Sequence, residues 1–252
     1  QPLATDGERL SAARQSYDGG VEAGLSELRV ANSKGLDRQT RRSAHRFSAY
    51  ADSLFGVGYG SRRELGESDV ARRLGFLNAW LPHFHAELEG ARAGGAMPVL
   101  LLPGAAASFL GHFVLGNLDG ERVANGGSAW TAGDFDQQRA LFGAELELRF
   151  DPTTDWLSRS YRMDARGLMA EPVSYIEGGR PKRPVTSLKA ARQLSCLPTP
   201  VPPPSGLSIE TGRRAPLEEA IAGLERGIVV PSVLGMHTQD ASRGNYSLAV
   251  PS

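Results

Sequence analysis

The sequence predicts an α+β fold, with mostly antiparallel sheets and a few packed helices. Three observations carry that prediction. Strand-like and helix-like stretches are grouped more than they alternate, as antiparallel pairing favours. Segment 144–150, AELELRF, alternates apolar and charged residues strictly, which is the period of a half-buried strand. Val70, Leu74, Leu77, Leu81, Phe84 and Leu88 recur every three or four residues, which is the spacing of one helix face.

LSELRVANSKGL (25–36) sets Leu28 and Val30 on one face and Arg29 on the other. It then reaches Asn32, Ser33, Lys34 and Gly35, so a strand and a turn are expected. Residues 41–63 read as two more strands, with the glycine-rich GVGYG (56–60) as a tight hairpin return. The helix after them takes Ser68 as N-cap and is stopped by Gly94 and Gly95. Pro82 should kink or split it, because proline lacks the N–H and clashes with the preceding turn. MPVLLL (97–102) is a candidate buried strand, and PGAAASFLGHFVLGNLDG (103–120) opens a helix with His112 in its middle.

EPVSYIEGG (171–179) reads as a strand ending in a turn, and PTPVPPPSG (198–206) as a stiff, extended connector. APLEEAIAGLERG (215–227) is a short helix with Pro216 near its first position and Gly227 just past its end. IVVPSVLG and NYSLAV are strands around a polar loop, 235–247. The chain divides into an N-terminal and middle region, 1–95, with strands and a long helix, and a C-terminal domain, 96–252.

Composition narrows the function. Lysine plus arginine and aspartate plus glutamate each number 28, so there is no global basic field to gather nucleic acid. Cys196 is the single cysteine; no internal disulfide can form, and the residue is expected to serve packing rather than chemistry. There is no basic-then-apolar leader, and the longest apolar stretch is broken by Pro103 and Gly104, so a soluble, cytoplasmic protein without a membrane anchor is expected.

Catalytic motifs are weak. A helical zinc pair with four-residue spacing needs a donor at Ser108 or Gly116 to match His112, and neither serves. His83 and His85 are two apart and point in different directions on a helix. His45 and His237 stand apart from both pairs. There is no G-x-S-x-G elbow, and GVGYG lacks the lysine of a phosphate loop. The arginines of RQTRR and RRSAHR suggest a basic strand face, most simply a solvated one. Glu145 and Glu147 share a strand face, with nothing placing them in a cleft. The polar loop 235–247, dense in Gly, Thr, Ser, Asp and Asn with one His, is the remaining candidate binding segment.

An ordered set of segments carries a resemblance. LRVANSKG, MPVLLLPGAAASFLGH, YRMDARGLMAEPVSYIEGGRPKRPVTSLKAARQL, PLEEAIAGLERGIVV and GIVVPSVLGMHTQDASRGNYS resemble, in the same order, segments of the TldD/PmbA (TldD/TldE) metallopeptidase family. The resemblance covers about 25–250. It implies a TldD/PmbA-like fold and a pair of related subunits. TldD-type members carry HExxxH on the helix after the Pro-Gly-Ala strand, with a third zinc ligand from a cysteine nearer the C-terminus; TldE/PmbA-type members lack the motif and act as partners. Laid on this chain, the two histidines fall at Gly111 and Gly116 and the glutamate at His112. His112 is then one step from a ligand position and is not a ligand.

The resemblance therefore implies a TldE/PmbA-type chain, with no catalytic or metal residue of its own and zinc in a TldD-type partner. It implies a shortened N-terminal region and a peptide or peptide-like substrate, in a setting such as natural-product biosynthesis, with no nucleic acid and no membrane as partner. Substrate contacts are expected from His237, Thr238, Asp240 and Asn245. Two other readings stand beside it: a homodimeric scaffold or ligand-binding protein, and a metal-independent hydrolase using His237 and Asp240.

Overall fold

The computed structural model describes residues 17–51, 56–84, 97–200, 207–212, 214–240 and 245–249. Strands β1 (Asp18–Ala31) and β2 (Asp37–Tyr50) form a long antiparallel hairpin. Asn32 makes its turn: the side-chain oxygen accepts from the N–H groups of Lys34 at 2.9 Å and Leu36 at 3.2 Å. Gly35 supplies the left-handed backbone, with φ 88, which a Cβ would resist.

Strand β3 (Gly56–Ser61) completes a three-stranded sheet in the order β1-β2-β3. GVGYG is thus a paired strand and not the tight hairpin its glycines suggested. The reason is close approach from one side. A Cβ on Gly60 would stand 2.9 Å from the Ser158 Cβ, and one on Gly56 2.2 Å from the Tyr50 ring. The alternate residues serve the other face: Val57 packs on the following helix, and Tyr59 lies 5.0 Å beneath the Arg73 guanidinium.

That helix, α1 (Glu67–Phe84), buries Leu77 and Leu81 against Ala49, Phe47 and Val57. Its cap is Gly66 rather than Ser68. The Gly66 carbonyl accepts from Asp69 and Val70, and the Asp69 carboxylate accepts from the Gly66 N–H at 3.2 Å; Ser68 falls inside the first turn. Helical geometry runs through Pro82 to Phe84, so the proline does not split it there. Leu88, Gly94 and Gly95 lie outside the described residues.

The rest of the chain runs β4 (Val99–Leu101), α2 (Pro103–Leu110), a π-helical segment (Gly111–Leu115), α3 (Gly116–Leu118), α4 (Gly120–Ala124) and α5 (Ala132–Asp136). Then follow β5 (Glu147–Phe150), β6 (Val173–Glu177), β7 (Arg180–Pro181), α6 (Leu188–Gln193), β8 (Leu207–Glu210), α7 (Leu217–Ala222), β9 (Ile228–Val230), β10 (Leu234–Asp240) and β11 (Asn245–Ala249). Four strands make an antiparallel sheet in the order β7-β6-β5-β8. The fold is α+β with mostly antiparallel sheets, as expected; β4 and β9 pair in parallel.

The main core lies between this sheet and the helices from α2 to α5. Phe150, Tyr175, Ile176 and Leu118 are fully buried in it, and Trp130 meets Phe142 edge-on at 5.7 Å. Each such side chain contributes roughly 1.5–3 kcal/mol by leaving water. The Tyr175 hydroxyl donates to the Pro200 carbonyl at 3.1 Å, and burial pushes this phenol up to about 12. Thr199 is pinned as well, its hydroxyl accepting from the Thr186 N–H at 2.9 Å. The start of the Pro-rich stretch is therefore sewn into the core and is not a free connector; 201–206 lie outside the described residues.

Other boundaries differ from expectation for local reasons. AELELRF becomes strand only at Glu147, because Leu146 closes a turn onto the Gly143 carbonyl at 3.0 Å. MPVLLL is half-exposed, with Val99 54% exposed, while Leu102 is buried. Helix α7 ends at Gly223; Gly227 instead lets the chain pass the Pro98 carbonyl, 3.1 Å from where a Cβ would sit. Among the described residues, no helix is long and apolar enough to cross a membrane.

Asn117, fully buried, ties α3 to the turn before α5. Its amide donates to the Phe113 carbonyl at 3.0 Å, and its oxygen accepts from the Ala129 N–H at 2.8 Å and the Ser128 hydroxyl at 3.2 Å. Asn117→Ala should lower the unfolding free energy by about 1–3 kcal/mol in urea denaturation, because it strands a buried N–H. A loss below about 0.5 kcal/mol, the scale of an ordinary surface change, would contradict this role.

Candidate functional site

The short parallel pair β4–β9 positions the candidate site. Leu101 stands beside Val230, and the Leu102 N–H continues the ladder to the Val230 carbonyl at 2.9 Å. Both strands then end. Pro103 opens α2 with a φ already suited to a first helical turn, and Pro231 opens the connector to β10. A Cβ on Gly104 would lie 3.7 Å from the Pro231 carbonyl, so the helix start and the connector touch. Helix and hairpin therefore leave from one place, the carboxyl end of this pair.

The helix has an uncommon register. Between α2 and α3, residues Gly111–Leu115 are π-helical, flanked by Leu110 and Gly116 with helical backbone angles. In a π-turn the hydrogen bonds close between residues five apart, and the wider turn leaves such residues nearer to one face than they stand in an α-helix. Gly111 and Gly116 are such a pair. Neither has a side-chain donor, so this pair does not fit zinc. His112 is exposed, with its Nδ1 3.1 Å from the Ser108 carbonyl. A carbonyl only accepts, so Nδ1 carries the proton. Among the described residues, no three His, Cys, Asp or Glu side chains gather in a way that could hold a metal ion.

The segment 235–247 is a β-hairpin and not a long loop. Strands β10 and β11 pair antiparallel, with His237 opposite Ser247, Thr238 opposite Tyr246 and Asp240 opposite Asn245. The register shifts between Leu234 and His237 and again between Thr238 and Asp240. Gly235, with φ 53, sits in the first shift, as expected of a glycine at a bulge. The turn-forming residue types concealed a two-stranded element whose irregularities absorb them. The hairpin does bring His237, Thr238, Asp240 and Asn245 onto adjacent rungs. Asp240 is half-buried.

Other candidates resolve into structural roles. Glu147 accepts from the Gly178 N–H at 2.8 Å and pairs with Arg149 at 3.2 Å; Glu145 lies outside the strand. His45 sits on β2 between Ala23 and Ser61. Cys196 is exposed, so the packing role fails: Ser195, with φ 53, turns the chain outward after α6. His83 lies in the last described turn of α1, and His85 falls outside the described residues. The arginines of β2 do alternate. Arg38, Arg42 and Arg46 share one face, while Arg41 on the other pairs with Glu27 at 2.7 Å.

The family model for the PmbA/TldA metallopeptidase C-terminal domain matches residues 94–252. The chain belongs to the TldD/PmbA family. Solved structures share the fold of this family member. TldE from Thermococcus kodakarensis superposes with a TM-score of 0.75 at 21% identity, over 91% of this chain and 55% of that one. A candidate modulator of DNA gyrase from Bacteroides thetaiotaomicron gives 0.69 at 18% identity, over 97% and 56%. A protein of the same description from Thermotoga maritima gives 0.63 at 19%, over 88% and 53%. The chain thus spans about half the length of these structures. No curated protein sequence matches it.

The π-turn yields a direct test. If it aligns positions 111 and 116, the double substitution Gly111→His with Gly116→His creates a two-histidine clamp. Zinc affinity by competition titration should then rise by about tenfold or more over the unsubstituted chain, or ~1.4 kcal/mol. No gain would mean that these positions do not share a face.

Proposed function

We propose that this chain is a non-catalytic, TldE/PmbA-like partner subunit of a heterodimeric zinc metallopeptidase or amide hydrolase. The observation that carries the reading is the π-turn over Gly111–Leu115, which leaves Gly111 and Gly116 nearer to one face than an α-helix would. The helix keeps a five-residue register suited to a ligand pair but presents two glycines there. Zinc and the general base belong to a TldD-type partner. This chain is inactive alone and completes the cleft for a peptide or peptide-like substrate, such as one from a biosynthetic pathway.

In this reading the β10–β11 hairpin contacts the substrate. An extended peptide offers one N–H and one carbonyl per residue, and His237, Thr238, Asp240 and Asn245 supply imidazole, hydroxyl, carboxylate and amide groups to meet them. The metal-independent hydrolase reading draws on two of the same residues and is separated by assaying the chain alone. The homodimeric scaffold reading draws on β1, the outer strand of its sheet, where Val21 and Leu25 are exposed.

The test is His237→Ala in the complex with a TldD-type subunit from the same genome. Losing a hydrogen bond to bound substrate costs roughly 1–3 kcal/mol, or about ten- to a hundredfold in kcat/KM. Zinc content and dimerisation should not change. A change within about twofold, under ~0.5 kcal/mol, would remove the hairpin as a site. Loss of zinc along with activity would place His237 at the metal.

A further inference from the structure

A second feature lies away from the hairpin. The face of the β1-β2-β3 sheet that carries Arg42 and Arg46 does not pack on α1. Segment 157–165 stands over it, leaving an open trough of about 1590 Å³. The floor is small: Gly20, Gly24, Ala44, Ser48 and Gly58 line it, and a Cβ added at Gly20 or Gly24 would meet nothing within 4 Å. Strand backbone is therefore accessible along the floor.

The trough is held open by Arg62. Its guanidinium donates to the Ser43 carbonyl at 2.6 Å and the Ser160 carbonyl at 2.8 Å, bridging sheet and segment. The Arg62 N–H also donates to the Trp156 carbonyl at 2.9 Å, and the Ser61 hydroxyl to the same oxygen at 3.2 Å. These bonds hold the backbone at Trp156, whose φ is 63 and which is 60% exposed. For a non-glycine residue this is a strained state, of the kind that collects at ligand sites. Trp156 and the exposed Met169 line an adjoining hollow of about 530 Å³, which shares Leu28, Arg42, Arg62 and Met163 with the trough.

Charge is unbalanced along this surface. Four arginines line the trough on the face away from α1: Arg42, Arg46, Arg62 and Arg159. Arg46 reaches Glu22 only at 3.9 Å, and Arg42 donates to the Ser26 hydroxyl at 3.0 Å. The lining carboxylates Asp164 and Glu27 are already engaged by Arg166 and Arg41, at 2.6 and 2.7 Å. The Nε atoms of Arg62 and Arg159 are buried without a hydrogen-bond partner. Burial and the charges of Arg42 and Arg46 lower the Arg62 pKa, and burial lowers that of Arg159. Half-buried cations without counter-charges carry a desolvation cost, and an anionic group in their midst offsets it.

We propose that this trough binds an extended peptide bearing carboxylate side chains. The small floor admits a main chain, Leu28, Leu157 and Met163 take apolar side chains, and Arg46 and Arg159 take the carboxylates. A peptide fits better than a nucleic acid. Among the described residues lining the two hollows Trp156 is the one exposed aromatic side chain, whereas successive bases need a series of rings to stack on. The proposal is independent of pairing with a zinc-bearing subunit, and so is its test.

The test is fluorescence anisotropy on the whole chain, with a labelled peptide of about ten residues, ~33 Å when extended, alternating glutamate and threonine. The acidic peptide should bind about tenfold or more tighter than its glutamine counterpart, and less tightly as salt rises. Arg46→Gln with Arg159→Gln should weaken it by about tenfold or more with no loss of melting temperature. Arg42→Gln, which loses only an exposed bond to Ser26, is a second variant expected to act in the same direction. Arg149→Gln, outside both hollows, should change nothing. No binding of the acidic peptide, equal binding of the two peptides, or full affinity in the arginine variants would overturn the proposal. So would stronger binding of single-stranded DNA of matching length.

Discussion

Three rungs of parallel strand organise the C-terminal half of the molecule. Val99, Leu100 and Leu101 stand beside Ile228, Val229 and Val230, a pairing across well over a hundred residues of intervening chain. Pairing so distant in sequence is costly in chain entropy, and it is supported by the core built between the two strands. Its consequence is spatial. The strands end together, so the helix with the π-turn and the hairpin with His237 start in contact. Without this ladder neither element would have a fixed origin.

A second constraint works in the other half. Arg62 uses its charge structurally, holding segment 157–165 over the β-sheet by two bonds to carbonyl oxygens. Arg38 adds a tie from β2 to the Gly167 carbonyl at 2.7 Å. Gly167, with φ 80, sits against Leu36, where a Cβ would come within 2.8 Å. Glycine at 60 and at 167 thus serves one end: bringing the segment 156–170 down onto the sheet. The trough is the space left beneath it.

Much of the architecture was legible because it rests on local signals. Asn32 and Gly35 announced the first turn, the three- and four-residue spacing announced α1, and the pair Gly178 and Gly179 announced the end of β6. The glycines of GVGYG misled, since Gly60 is there for contact with Ser158, about a hundred residues away in sequence, and Gly56 for contact with the Tyr50 ring on the neighbouring strand. Gly227 misled for the same reason, through Pro98. The polar composition of 235–247 concealed a hairpin, because strand and loop share residue types where the ladder carries bulges. The π-turn left no periodic trace that single residues could reveal. What could be read was the pair of glycines five apart, once the family segments had been laid in order.

The proposed function is a division of labour, in which this chain shapes a cleft and a related subunit holds the metal. Native mass spectrometry with metal analysis tests it most directly, on the chain alone and after co-expression with a TldD-type subunit. On this proposal a stable heterodimer forms whose zinc is stoichiometric with the partner, while the isolated chain retains none after dialysis. Stoichiometric zinc on the isolated chain, or a chain that ignores every TldD-type subunit offered, would contradict it.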